Sequence, residues 1–230
     1  MITVAALVSH PPLLFRELGG ASDPVAELRA AALEALGVVG GAADHVVVVG
    51  PAEEARTWDA GAGVDVRRFG GPGGRTCRPG LPLSLGVGAR LLQEAGWTGP
   101  VDLVSVRSSA DRAKVDSLAD SLAGRSGRTG LLLMGDGSAR RGSTAPGYVD
   151  ERAFPWDDAV AVALAGGDAD SLAGLDVPLA EELMVHGSAS FRLLGAVGLR
   201  CGPPSRSALP YRGDPFGVTY FTALWHLHPR

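Results

Sequence analysis

The stretch Ile2-Thr3-Val4-Ala5-Ala6-Leu7-Val8-Ser9-His10-Pro11-Pro12 decides how the rest of the chain is read. Its first seven residues are apolar apart from Thr3, which predicts a strand buried on both faces. Two prolines then forbid helix, so the strand presents His10 at its C-terminal tip. Ligands of open α/β sheets sit beyond the carboxyl ends of the strands, so a histidine there is a candidate metal or catalytic position. The competing reading is a histidine that merely caps the strand.

Working outward, His45-Val46-Val47-Val48-Val49 before Gly50-Pro51 predicts a second strand buried on both faces. Residues 101–106 and 130–134 predict two more. Asp23 as N-cap with Pro24 at the first helical position predicts a helix that stops at Gly37. Apolar residues at helical spacing predict further helices over 84–96, 109–123, 157–165, 168–175, 178–185 and 188–197. Residues 59–82 are rich in Gly, Pro and Arg and read as a long loop, with a short edge strand at 64–66. Residues 217–227 alternate and predict a late strand, antiparallel or at an edge. No repeat or linker divides the chain, so residues 1–230 read as one α/β domain. Its architecture is a central, mostly parallel (mixed) sheet with helices on both faces.

Composition narrows the function classes. The 230 residues are 46% hydrophobic and 20% charged, enough for a sizeable core, and the net charge of −4 argues against nucleic acid as a partner. Every apolar run falls short of the roughly 20 residues a spanning helix needs, so no membrane partner is expected. With no basic region before the first apolar stretch, a cytoplasmic location is expected. Cys77 and Cys201 form no CxxC pair and predict no disulfide framework.

Several side chains share the predicted carboxyl edge with His10. Glu53 or Glu54, just past the second strand, could supply a metal ligand, and Glu53 could bind a substrate. Gly135-Asp136-Gly137-Ser138-Ala139-Arg140-Arg141 follows the 130–134 strand. There Asp136 and Ser138 could orient a substrate or take part in catalysis, and Arg140 or Arg141 could clamp a carboxylate. Glu182 and His186, four apart on a predicted helix, would share one face and could join His10 around a cation. The bland readings are a solvated helix face for Glu182 and a helix C-cap for His186. The Gly70–Gly74 stretch lacks the P-loop and dinucleotide fingerprints and reads as a surface loop. Cys77 has arginines nearby but no histidine base, and His226 and His228 read as surface or packing residues.

Three segments together resemble the catalytic subunits of class III extradiol ring-cleaving dioxygenases, the LigB-like superfamily that includes the Memo-like proteins. Val8-Ser9-His10-Pro11-Pro12 is similar to the family's first metal histidine and its prolines. Val46-Val47-Val48-Val49-Gly50-Pro51-Ala52 is similar to the strand that ends in Pro-His. Leu132-Leu133-Met134-Gly135-Asp136-Gly137-Ser138-Ala139-Arg140 is similar to the strand that ends in Ser-Gly-Asp-Leu-Ser-His-Arg. The helical stretch from Asp157 through Leu172 also resembles the family's. The resemblance implies that fold, a catechol-type aromatic ligand and an Fe(II) cofactor, with zinc or no metal as alternatives. A homo-oligomer is compatible with it.

The chain also departs from the family. The second metal histidine falls on Ala52 and the catalytic histidine on Ala139, and alanine can neither bind a metal nor move a proton. A facial triad needs two histidines and a carboxylate, which this chain could restore only by recruitment, for example His10, His186 and Glu182. Three functions stay open: ring-opening dioxygenase, non-catalytic binder of a small molecule or protein, and metal-dependent enzyme with a rebuilt site.

Overall fold

The computed structural model describes residues 1–20, 22–72, 80–143 and 145–227. Seven strands form one sheet in the order β3-β4-β2-β5-β1-β7-β6. These are β1 (Ile2–Val8), β2 (His45–Pro51), β3 (Arg56–Trp58), β4 (Val101–Val106), β5 (Thr129–Met134), β6 (Arg206–Gly213) and β7 (Tyr220–His226). The four central strands β4, β2, β5 and β1 run parallel. Antiparallel strands finish both sides, β3 beside β4, and β7 then β6 beside β1. The continuous apolar runs follow from this order. β1 and β5 have strands on both sides and helices on both faces, so neither face needs polar residues.

Alternation along each central strand feeds two cores. Leu7, Val47, Val49, Leu131 and Leu133 face one layer. There α3 (Arg112–Ala123), α4 (Ala153–Gly166), α5 (Ala169–Ala173), α6 (Val177–Glu182) and α7 (Ser188–Cys201) supply Val115, Val160, Leu172, Ala180 and Phe191. Val8, Val46, Val48, Leu132 and Met134 face the other layer, where α1 (Ala26–Ala42) and α2 (Leu83–Glu94) supply Leu28, Leu36, Leu85 and Leu91. Each fully buried Val or Leu contributes about 1.5–3 kcal/mol of transfer free energy, so the sheet interior dominates the stability.

Several expectations shift. α1 begins at Ala26, because the Asp23 carboxylate accepts the Val25 N–H at 3.1 Å and pairs with Arg29 at 2.6 Å instead of opening the helix itself. It also runs through Gly37 to Ala42, since packing of Leu36 and Val39 on the sheet outweighs glycine's helix cost of about 1 kcal/mol. Residues 64–66 form no strand; a 3-10 turn covers Val66–Phe69, and the edge strand is β3. The late strand β7 is antiparallel but internal, covered by β6, whose mixed, half-exposed residues carry no clear alternation. Gly73, Gly74, Cys77 and His228 lie outside the described residues. Cys201, the last residue of α7, is half-buried, and no helix among the described residues is long and apolar enough to cross a membrane.

Candidate functional site

Sheet register builds the site. β1 and β5 are parallel with Val8 opposite Met134, so two residues further on His10 and Asp136 leave the sheet side by side. β2 and β5 pair Val49 with Leu133, which carries Ala52 to the other flank of Asp136. β7 is antiparallel to β1 with Thr222 opposite Val8, which brings Tyr220 across from His10. His10, Asp136, Tyr220 and Ala52 therefore share the carboxyl edge of the parallel strands, where such folds bind ligands.

Asp136 is held against His10 twice. Its Oδ1 accepts the His10 backbone N–H at 2.8 Å and lies 3.4 Å from His10 Nδ1. The His10 residue is only 5% exposed, and its Nδ1 is buried without a hydrogen-bond partner. Burial pushes the imidazole below its ordinary pKa, with the Asp136 carboxylate acting against that shift and His186 adding to it. The Tyr220 phenol is pushed up, first by burial and then by the Asp136 carboxylate. His10 is thus a neutral imidazole at neutral pH, beside a half-buried carboxylate and a protonated phenol.

Two loops hold this geometry. Gly187, just before α7, donates its N–H to the Asp136 carbonyl at 2.9 Å. A Cβ on Gly187 would stand 2.5 Å from that oxygen and 2.8 Å from the Asp136 nitrogen, so only glycine permits the approach. Ser190 Oγ donates to the Met134 carbonyl at 2.7 Å, tying the first turn of α7 to the end of β5. Asp157 of α4 is fully buried; it accepts the Ser138 N–H at 3.0 Å and the Thr219 hydroxyl at 2.6 Å, with Arg141 at 3.8 Å. Burial raises its carboxyl to about 6, against those hydrogen bonds.

The predicted site residues separate. His10 and Asp136 meet, with His186 in electrostatic range. Ser138 is no substrate-orienting group: it is fully buried, its Oγ donates to the Leu183 carbonyl at 2.7 Å and accepts the Arg140 N–H at 3.1 Å. Glu182 is no partner of His10. It is the last residue of α6, exposed, and accepts from Arg152 Nη1 at 2.8 Å. The shared helical face of Glu182 and His186 does not form, because Met184 takes a left-handed φ of 54° and turns the chain between them. Glu53 is exposed beyond β2, and Arg140 is half-buried with its Nε lacking an acceptor. His226 pairs in register with Val4, at the opposite end of β1 from His10.

Residue-by-residue reading missed Tyr220, Asp157 and Thr219 as parts of this region. Tyr220 was findable only through the pairing of β7 with β1, which no local pattern encodes. The implied Fe(II) set does not fit. Ala52 and buried Ala139 stand at two of its positions, Glu182 is tied to Arg152, and among the described residues no group of three His, Cys, Asp or Glu is placed to hold a metal. A separate groove of about 510 Å³, lined by Leu36, Gly40, Asp44, Trp97 and Gly99 among others, lies at the amino ends of β2 and β4, away from His10.

No family model and no curated protein matches the chain. Among solved structures it is similar to the crystal structure of an uncharacterized protein, JW3007, from Escherichia coli K12. The identity is 14%, the match covers 97% of this chain and 99% of that one, and the TM-score is 0.50. At that identity the likeness is one of fold: a single-domain α/β architecture with a mixed seven-stranded sheet.

Proposed function

We propose that this chain is a divergent member of the class III extradiol dioxygenase superfamily, the LigB-like and Memo-like group. In this reading it binds a small aromatic or phenolic molecule at the carboxyl edge of its sheet without an iron triad. The observation that carries the reading is the His10–Asp136 pair, with a buried imidazole nitrogen lacking a partner 3.4 Å from a carboxylate at the usual ligand position of the fold. Tyr220, across from His10, adds a phenol that can donate to a ligand oxygen. A neutral imidazole, a carboxylate and a phenol form a hydrogen-bonding set suited to hydroxyl groups on an aromatic ring. The missing donors at Ala52 and Ala139 argue against catechol cleavage, since neither a second metal histidine nor the family's base is present.

The test is calorimetric titration of the purified chain with catechol and phenol, beside anaerobic Fe(II) loading followed by metal analysis and oxygen uptake. Saturable catechol binding that His10→Ala abolishes, without stoichiometric iron, is the expected result. One iron per chain with robust ring cleavage would overturn the reading.

A further inference from the structure

We propose that the amino-terminal end of α7, with the loop of residues 107–111 between β4 and α3, binds an oxyanion, the phosphate or carboxylate group of a small molecule. α7 is a 14-residue helix whose N-cap, Gly187, supplies no capping side chain. The N–H groups of Ala189 and Ser190 have no acceptor among the described residues, although both residues are fully buried. Such a helix end carries about half a positive charge and several outward-pointing donors.

Side chains turn this end into a built site. Ser188, the first helical residue, is 2% exposed and its Oγ is buried with no hydrogen-bond partner. Cα–Cβ bonds tilt toward the helix N-terminus, so its hydroxyl projects past the open turn. A buried hydroxyl without a partner costs about 1–3 kcal/mol, which a ligand acceptor would recover. Arg192 lies four residues on, on the same helical face, and reaches the 107–111 loop. It is 4% exposed, donates Nη1 to the Ala110 carbonyl at 2.7 Å and has no carboxylate within ion-pair distance among the described residues.

The acidic groups in its field are occupied elsewhere. Asp111 pairs with Lys114 and accepts its N–H, and Asp116 pairs with Arg112 and Arg200. The same loop closes over the helix end, where Ser108 Oγ donates to the His186 carbonyl at 3.3 Å. Arg107, exposed beside it, also has no carboxylate partner among the described residues. Two guanidiniums without a carboxylate partner, an unpartnered hydroxyl and two amides without an acceptor among the described residues thus lie on the first turns of α7 and on the loop tied to it, a donor set without an anionic acceptor. The His10 pair contributes nothing to it, so the proposal goes beyond the ligand reading above and is tested apart from it.

The test follows backbone amide resonances of the labelled full chain as inorganic phosphate, and separately acetate, is added at constant ionic strength. The Ala189 and Ser190 amides are expected to shift saturably, with phosphate alone identifying a phosphate site and both probes a general oxyanion site. Ser188→Asp places a carboxylate where the anion would sit and should abolish the shift. Arg107→Ala should weaken binding about tenfold, the loss of one charge-assisted hydrogen bond. If Ser188→Asp fails to fold, Ser188→Ala must weaken phosphate binding several-fold. Shifts that do not saturate, or an affinity unchanged by both Ser188 substitutions, overturn the proposal. The outcome is independent of whether His10→Ala abolishes catechol binding.

Discussion

Gly187 N–H donates to the Asp136 carbonyl at 2.9 Å and, with the Ser190 hydroxyl on the Met134 carbonyl, sets how the start of α7 meets the end of β5. The same Asp136 holds its carboxylate on the His10 N–H, so the geometry of His10 depends on a residue far from it in sequence.

Gly187→Ala forces a Cβ to 2.5–2.8 Å from backbone atoms of Gly135 and Asp136, which cannot swing away as a flexible side chain can. We expect a loss of about 1–3 kcal/mol in denaturant unfolding, the usual cost of overpacking. The same substitution should move the His10 imidazole resonances, whereas an Ala at exposed Gly41 should not.

Ser138→Ala leaves the Leu183 carbonyl without its donor and the Arg140 N–H without its acceptor. The expected cost is about 1–3 kcal/mol of stability. Ligand affinity at the His10 site should change little, because Ser138 has no exposed surface. A selective loss of binding with full stability would return Ser138 to the site.

Asp157 gives the protein a pH signature. Its folded pKa of about 6 lies above the unfolded value of 3.8, so its protonated form favours the folded state. That contribution is complete below about pH 4 and is lost as pH rises through about 6, a change of about 3 kcal/mol. Asp157→Asn keeps an acceptor for Ser138 and removes the titration. The stability difference between variant and wild type should therefore grow in the variant's favour from about pH 4 to about pH 6 and then level off, as read by urea unfolding. A flat difference across that range would show that Arg141 and Thr219 compensate the buried charge fully.

His10 should titrate below the ordinary histidine range in NMR of the imidazole protons. Asp136→Asn should lower it further, since the carboxylate favours the imidazolium, and His186→Ala should raise it. A titration unmoved by Asp136→Asn would mean that the two side chains are not coupled.

Parts of this molecule were legible residue by residue. The runs in β1, β2 and β5 announce a buried parallel sheet because both their faces must be apolar, and His10 before two prolines marks the edge where ligands bind. Asp136 at the end of β5 was readable for the same reason. β6 was not, because an edge strand half in water carries a mixed pattern that looks like loop. The pairing of Glu182 with His186 failed because helical spacing holds only while the helix continues, and Met184 ends it.

The amino-acid sequence by itself determined the layered α/β class, the strand that carries His10 and the Asp136 segment that follows β5. Tertiary structure alone decided what surrounds His10. Strand register places Asp136 and Tyr220 beside it, a glycine contact locks the Asp136 backbone, and Arg152 draws Glu182 away. These are contacts between residues far apart along the chain, set by packing and pairing, and no local periodicity records them.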